Sequence, residues 1–273
     1  MTPVDVDRLK AQTYFRTNPL RYLVHLKYMH LYRDIISCTV LEHQHQTAVL
    51  LRYPANRVKR DAARYPQADQ VLMPVAANDD LTRRLLDHIA LNLERDHAHI
   101  IKFCEPSTEA MFQQHLPLEP VRHVMSYTTI PEARYELAPN VSIETQPRAS
   151  CIAFYVENDY SHAEMTNYFA NDALAFTIYD YDDPISTCIA FRFFEDVWEI
   201  GGVHTREAMR HKGYARQVVQ TALSYVLQQG KTPRYQVESI NIPSIRLAES
   251  LGMRPGAVFQ HYLLPPVSRR TTP

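Results

Sequence analysis

The segment Arg210-His211-Lys212-Gly213-Tyr214-Ala215 decides the fold, because it joins a predicted strand to a long predicted helix through a glycine. The strand runs from Val197 to Val203, and apolar spacing predicts the helix from Tyr214 to Gln229. The first amides of a helix have no intrahelical partners and lie at the positive end of its dipole. A glycine there lets the backbone approach a ligand closely. The segment therefore predicts a phosphate or pyrophosphate site.

The glycine distribution indicates that the chemistry is in the C-terminal part of the chain. All six glycines of this 273-residue protein lie between Gly201 and Gly256. The patterns GxxxxGK[ST] and GxGxxG are absent, which argues against a P-loop and against a dinucleotide site. A basic loop that enters an ordinary surface helix is the alternative interpretation of the same residues.

Two segments resemble the signature regions of the GNAT superfamily of N-acetyltransferases. There a strand ending in V-x-[VPT] precedes [RQ]-x-x-G-x-[GA] and a long helix, and this chain has Val203-His204-Thr205 and then Arg210 to Ala215. The second region has an Asn at a helix start, a small residue three positions later and a glycine eleven positions later. Here these are Asn241, Ser244 and Gly252. The resemblance covers roughly residues 140 to 265.

The resemblance implies that acetyl-CoA is the co-substrate. Backbone amides at the helix start would hold its pyrophosphate, and the end of the strand would pair with the pantetheine arm as it would with an added strand. The second signature region would flank the arm from the other side. The expected coenzyme-binding residues are Val203, His204, Thr205, Arg210, His211, Lys212, Gly213, Tyr214, Ala215, Arg216, Asn241 and Ser244.

Acetyl transfer to an amine requires a group that accepts the amine proton, and the departing thiolate must be stabilised. Glu199 is the expected general base, since several GNAT enzymes resemble one another in a catalytic glutamate on this strand; a salt-bridged strand carboxylate is the alternative interpretation. Many relatives have a tyrosine as proton donor seven residues after the Asn, but this chain has Ala248. Tyr214 is our candidate acid, and Tyr235, His204 and bulk water are further alternatives.

Apolar periodicity and turn residues predict a similar order of elements twice. In the first half, Asn18-Pro19 is expected to cap a helix from Pro19 to about Arg33, and the pattern is complete by about residue 130. We expect an α/β fold of the α+β three-layer type, with a mixed, mostly antiparallel GNAT-type sheet flanked by helices, in two tandem GNAT-like domains. The first predicted domain, 1–130, has no cofactor motif, and the acetyl-CoA-binding domain is predicted at 140–273. Residues 131–150 are predicted to form a linker and a first strand, and Pro131 is one of three prolines that interrupt regular structure there.

The first half has a different sequence at the corresponding strand-to-helix position. Val75-Ala76-Ala77-Asn78-Asp79-Asp80 contains no glycine and no basic residue there. Its two carboxylates would lie where a pyrophosphate would bind, and their charge would repel it. We therefore expect no coenzyme in the first domain.

Composition argues against several classes of partner. Lys and Arg (29) nearly balance Asp and Glu (30), so no basic footprint indicates nucleic acid. No apolar run is long enough to span a bilayer, and the N-terminus does not resemble a secretory signal, so we expect a cytoplasmic protein without a membrane partner. The four cysteines have no CxxC spacing, and His204 and His211 have no ligand partners at metal spacing; free thiols and no metal are expected. We expect a monomer or homodimer.

The predicted function is transfer of the acetyl group of acetyl-CoA directly to a primary amine. The acceptor would be a small molecule, an amino acid derivative or a peptide N-terminus. One alternative is a tRNA-dependent aminoacyl transferase of the tandem-GNAT type, which the near-neutral charge and the coenzyme loop disfavour. The other is a non-catalytic acyl-CoA-binding or interaction module, which Ala248 favours.

Overall fold

The computed structural model describes residues 3–130 and 132–267. Pro131 and the outer ends of the two predicted domains, residues 1–2 and 268–273, lie outside the described residues. The chain forms two units: Met1–Val124 with Ala257–Pro273, and Met125–Gly256. Residues 257–267, which sequence analysis assigned to the second domain, are grouped by their contacts with the first unit.

The first unit contains two initial helices, then a sheet with helices between its strands. Its elements are α1 (Pro3–Phe15), α2 (Leu23–Leu31), β1 (Ser37–His43), β2 (Gln46–Pro54), α3 (Lys59–Arg64), β3 (Ala68–Ala76), α4 (Asp79–Asn92), β4 (Ala98–Phe103) and α5 (Pro106–His115). The strand β5 (Glu119–Thr128) follows and leads into the second unit. The final strand of the chain joins β4, so the order in the first unit is β1-β2-β3-β4 and then this strand. Pairing is antiparallel except between β3 and β4.

The second unit repeats this plan. Its further elements are β6 (Ser142–Glu144), α6 (Ala149–Val156), α7 (His162–Ala170), β7 (Leu174–Asp180), β8 (Asp183–Phe194), β9 (Val197–Thr205), α8 (Tyr214–Gln228), β10 (Thr232–Glu238) and α9 (Ile242–Ser250), and β11 (Arg254–Leu264) completes the chain. The strand order is β5-β10-β9-β8-β7-β6. The strands β6 to β9 pair antiparallel, and β9 pairs parallel with β10. The mixed, mostly antiparallel sheet predicted from sequence is therefore confirmed.

The core of the second unit lies between its sheet and α8. Apolar residues recur along α8 at helical spacing, and those that are buried are Val218, Val219, Ala222, Leu223 and Val226. They pack with Phe176 and Ile200 from the sheet. Burial of each large apolar side chain contributes about 1.5–3 kcal/mol. A smaller cluster that includes Cys151 from α6 and Met165 from α7 packs with Ile189 of β8, so this unit has the expected three layers.

The helix α2 begins at Leu23, four residues later than predicted. The Asn18 side chain accepts a hydrogen bond from the Arg21 amide, and its carbonyl accepts one from the Tyr22 amide. These local bonds make a turn instead of a helix cap. The short helices α3 and α6 were not predicted, because segments this short carry little periodicity. The strand β6 lies within 131–150, where a first strand was expected. No helix within residues 3–130 and 132–267 is long and apolar enough to cross a membrane.

We expect the stability of the protein to fall in mild acid because of His25. This side chain is fully buried, its ring 4.8 Å from Phe15 and 5.9 Å from Phe259 between ring centres, and burial lowers its pKa to about 3. Below pH 6.5 the unfolded chain binds a proton there that the folded chain does not. Stability therefore falls by about 1.4 kcal/mol per pH unit below that value.

Urea unfolding at pH 7.5 and pH 5.5 measures this loss. A His25→Gln variant has no titrating group at position 25, so its loss between the two pH values should be smaller by about 1 kcal/mol. Equal losses in the two proteins would show that His25 is not responsible.

Candidate functional site

The parallel pair β9 and β10 opens into a fork. Pairing joins Val197–Ile200 to Thr232–Tyr235 and goes no further, while β9 continues to Thr205 and β10 to Glu238. Among the described residues, no rung connects β10 to residues 201–205 of β9. That edge of β9 therefore offers backbone donors and acceptors to an extended ligand, as the edge of a sheet does to an added strand.

A β-bulge in β9 lies at the opening of the fork. His204 pairs with Thr187 and Gly201 with Ile189, so three steps on β9 oppose two on β8. Gly202, inside the bulge, has φ +60°, and a Cβ on it would be 3.1 Å from Tyr155 Cε1 and 3.3 Å from Tyr160 Oη. Both the backbone angle and the lack of space require glycine here. Sequence analysis did not single out Gly202.

The start of α8 presents amides that have no partner within the helix. Gly213 is the N-cap residue with φ +84°, and the first intrahelical hydrogen bond runs from the Gln217 amide to the Gly213 carbonyl, 3.1 Å. The amides between these two residues precede that bond and are free to bind an anion at the positive end of the helix dipole. The side chains of Arg210 and Lys212 are exposed beside them. The Arg216 guanidinium, by contrast, donates to the Ser250 carbonyl and hydroxyl at 2.7 and 2.8 Å.

Two clefts meet at the fork. The first, which we call the loop cleft, has a volume of about 460 Å³ and is lined by every predicted coenzyme-binding residue except Lys212, together with Asn158, Met209, Pro243 and Leu247. The second, the fork cleft, has a volume of about 380 Å³. Its lining residues are Tyr160, Gly201, Gly202, Val203, His204, Tyr235, Gln236, Val237, Glu238, Ile240, Asn241 and Ser244. Glu199 lines neither cleft. Tyr214 lines the loop cleft but not the fork cleft.

Glu199 forms a largely buried ion pair with Arg234. It lies opposite Arg234 in the β9–β10 ladder, and the Arg234 guanidinium donates to its carboxylate. The two side chains are only 13% and 6% exposed. Arg234 also donates to Ser126 Oγ at 2.9 Å and lies 4.3 Å from the centre of the Phe193 ring. To accept a proton, Glu199 would have to give up this pair.

His204 lines both clefts. The centre of its ring is 6.4, 6.0 and 5.8 Å from the ring centres of Phe154, Tyr155 and Tyr160. Its Nε2 is buried and has no hydrogen-bond partner among the described residues. Burial lowers the pKa of His204, and Asp159 opposes this shift. The imidazole is therefore neutral near pH 7.

The equivalent helix start in the first unit, that of α4, differs from the start of α8 in its capping residue and in the charges of its first turn. Asn78 caps α4, and its side-chain oxygen accepts a hydrogen bond from the Leu81 amide at 2.9 Å. Asp79 and Asp80 occupy the first turn, and Asp80 accepts from Arg84 at 2.8 Å. The cap occupies the Leu81 amide, which is then not available to an anion. The two carboxylates offset the positive end of the helix dipole. That this unit binds no coenzyme stays a prediction.

Residues 143–253 match the model of the Acetyltransferase (GNAT) family. This segment is a GNAT domain. It covers the fork, the bulge, the start of α8 and all of α9, which are the features that form both clefts. The resemblance noted from the two signature segments is therefore confirmed for the C-terminal half of the chain.

Solved GNAT structures have a similar fold over nearly the whole chain. A GCN5-related N-acetyltransferase from Sphaerobacter thermophilus has a TM-score of 0.56 at 16% identity, with 92% of this chain and 88% of that one covered. A GNAT acetyltransferase from Colwellia psychrerythraea has a TM-score of 0.57 at 10% identity, covering 89% and 96%. A tandem GNAT protein from the clavulanic acid biosynthesis pathway has a TM-score of 0.51 at 12% identity, covering 95% and 92%.

These similarities concern the fold, because the identities are low. No curated protein sequence matches the chain. The likeness to a tandem GNAT protein and the repeated strand plan agree on an arrangement of two domains with GNAT-like folds. The match of residues 143–253 to the GNAT family model supports acyl transfer as the general activity.

Proposed function

We propose that the second unit is an acetyl-CoA-dependent N-acetyltransferase that acts on a primary amine of a small molecule, an amino acid derivative or a peptide N-terminus. The loop cleft carries this proposal. It brings the start of α8 and the start of α9, which are far apart in sequence, to the unpaired edge of β9. An elongated ligand with an anionic end and an amide-bearing arm fits that combination of groups.

The residues present fit a coenzyme A pyrophosphate. Free amides follow Gly213, which has no Cβ to hold a phosphate away, and Arg210 and Lys212 add positive charge. The pantetheine arm would pair with residues 201–205 of β9, whose edge toward β10 has no rung among the described residues. The thioester would then reach the point where the fork closes, next to the fork cleft, and the amine would enter from that cleft.

For the amine proton we propose His204 instead of Glu199 as the acceptor. Glu199 would have to leave its buried partner Arg234, which would be costly because an unpaired buried charge is strongly destabilising. His204 needs no such rearrangement, since it lines both clefts and its imidazole is neutral. Direct transfer then consists of attack by the amine nitrogen on the thioester carbon, loss of the amine proton to His204 and departure of the coenzyme thiolate.

The experiment is calorimetry with acetyl-CoA followed by thiol-release assays over a panel of amines. The panel contains alkyl amines, amino acid amides and short peptides, and each peptide is matched by its N-terminally blocked form. We expect acetyl-CoA to bind and thiol release to require a free amine. Absence of acetyl-CoA binding would overturn the proposal.

Two other outcomes identify the alternatives. Binding without transfer to any amine would favour a non-catalytic acyl-CoA module. Transfer only when aminoacyl-tRNA replaces acetyl-CoA as donor would favour the tRNA-dependent class.

A further inference from the structure

The side chain at position 248 is too short to assist the leaving group. Ala248 is fully buried in the core between α9 and the sheet. A methyl group cannot donate a hydrogen bond to a departing sulfur. Any protein group that stabilises the thiolate must therefore come from another residue at the fork.

Tyr235 is in the right place. It belongs to the same buried cluster as Ala248, but it lies on β10, opposite Ile200 at the last rung before β9 and β10 separate. The residue is 3% exposed and lines the fork cleft together with Gly201 and Ser244. An arm bound along β9 from the start of α8 would end beside this rung.

The chemistry of the Tyr235 hydroxyl suits a hydrogen-bond donor. Burial raises its pKa to about 12. The hydrogen bond with the Ser244 hydroxyl lowers this pKa, and the nearby Cys188 thiol raises it. A phenol with this pKa keeps its proton beside a thiol, whose ordinary value is about 8.5. Tyr235 would therefore stabilise the sulfur as a fixed donor without giving up its proton.

We propose that Tyr235 is a catalytic residue that donates a hydrogen bond to the coenzyme sulfur as the thioester breaks. The inference rests on the proposed acetyl-CoA-dependent function. The amine nitrogen bonds to the carbonyl carbon, and the carbon–sulfur bond breaks with its electron pair on sulfur. The hydroxyl of Tyr235 stabilises that charge. The proton lost by the nitrogen passes to His204 and then to solvent, and the released thiolate takes its own proton from solvent.

Tyr214 is a weaker candidate for this task. It is the first residue of α8 and lines the loop cleft alone, beside the amides that would hold the pyrophosphate. The pyrophosphate and the sulfur are at opposite ends of the pantetheine arm. A hydroxyl at the start of α8 is thus placed at the wrong end of the coenzyme.

The test measures the thiol of bound, unacetylated coenzyme A and so does not depend on the amine acceptor. Thiolate absorbance in the ultraviolet is titrated against pH for coenzyme A bound to the wild type, to Tyr235→Phe and to the control Tyr225→Phe. Tyr225 packs on Phe176 and lines neither cleft. We expect the wild type and the control to lower the pKa of the bound thiol by about one unit, which is tenfold more thiolate in the titration range, and Y235F to abolish that shift.

Affinities for desulfo-coenzyme A complete the test. They should be equal in wild type and Y235F, because desulfo-coenzyme A has no sulfur for the Tyr235 hydroxyl to contact. A bound thiol in the wild type that titrates like free coenzyme A overturns the inference, and this result stands even where Y235F fails to fold. A shift of the same size in Y235F also overturns it. Failure of the wild type to bind coenzyme A would overturn the proposed function itself, which distinguishes the two failures.

Discussion

Replacing Gly213 with leucine is expected to weaken acetyl-CoA binding by about 100-fold or more. A side chain at this N-cap position would hold the phosphates away from the amides that follow it, since Gly213 lines the loop cleft. Hydrogen bonds to a charged group are worth roughly 1.5–3 kcal/mol each. Loss of one or two of them produces the expected change in Kd, which calorimetry measures directly.

Gly230→Leu is the matched control. Gly230 follows α8 with φ +67°, close to the +84° of Gly213, and an added Cβ would meet nothing within 4 Å at either position. Both variants therefore carry a similar backbone strain of about 1 kcal/mol, but Gly230 lines neither cleft. Equal acetyl-CoA affinities in the two variants would refute the assignment of the α8 start as the pyrophosphate site.

Replacing Arg234 with methionine is expected to destabilise the second unit by about 3–5 kcal/mol. The substitution leaves the Glu199 carboxylate buried without its partner, and an uncompensated buried charge costs about that much. The double variant Glu199→Gln/Arg234→Met removes both charges and should recover most of the lost stability. Denaturant unfolding of the wild type, both single variants and the double variant forms a complete cycle. A sum of single effects equal to the double effect would show that the two residues do not interact.

The same double variant tests the role of Glu199 in transfer. Because His204 is the proposed proton acceptor, we expect the variant to retain amine-dependent thiol release within a few-fold of the wild type. A general base typically contributes about 10²–10⁴-fold. A loss of that size in a folded double variant would restore Glu199 as the base, as the sequence interpretation had it.

Local sequence patterns predicted the elements that local interactions determine. The stripe on α8 appears as apolar residues three and four apart, and the motif around Gly213 has a fixed spacing. The predicted coenzyme-binding residues came from the resemblance of the segments around Gly213 and Asn241 to the two GNAT signature regions, and all of them except Lys212 line one cleft.

The rest of the site depends on contacts between distant segments. Glu199 and Arg234 are 35 residues apart, and only the register of β9 against β10 makes them a pair. The need for glycine at 202 comes from Tyr155 and Tyr160, which lie on or next to α6, a helix that periodicity did not predict. A bulge at consecutive glycines was the one available signal, since Gly201-Gly202 interrupts an otherwise regular strand pattern.

The strand β11 has a consequence for biosynthesis. It pairs with β4 in the first unit through Gln260–Leu264, although some 150 residues separate the two strands in the chain. Domains usually fold as units, N-terminal first, while the ribosome is still translating. Here the first unit lacks a strand until translation has passed the whole second unit, so β4 has an unpaired edge for most of that time. An unpaired edge invites pairing with other chains, and the nascent protein is therefore most prone to aggregate just before β11 is synthesised.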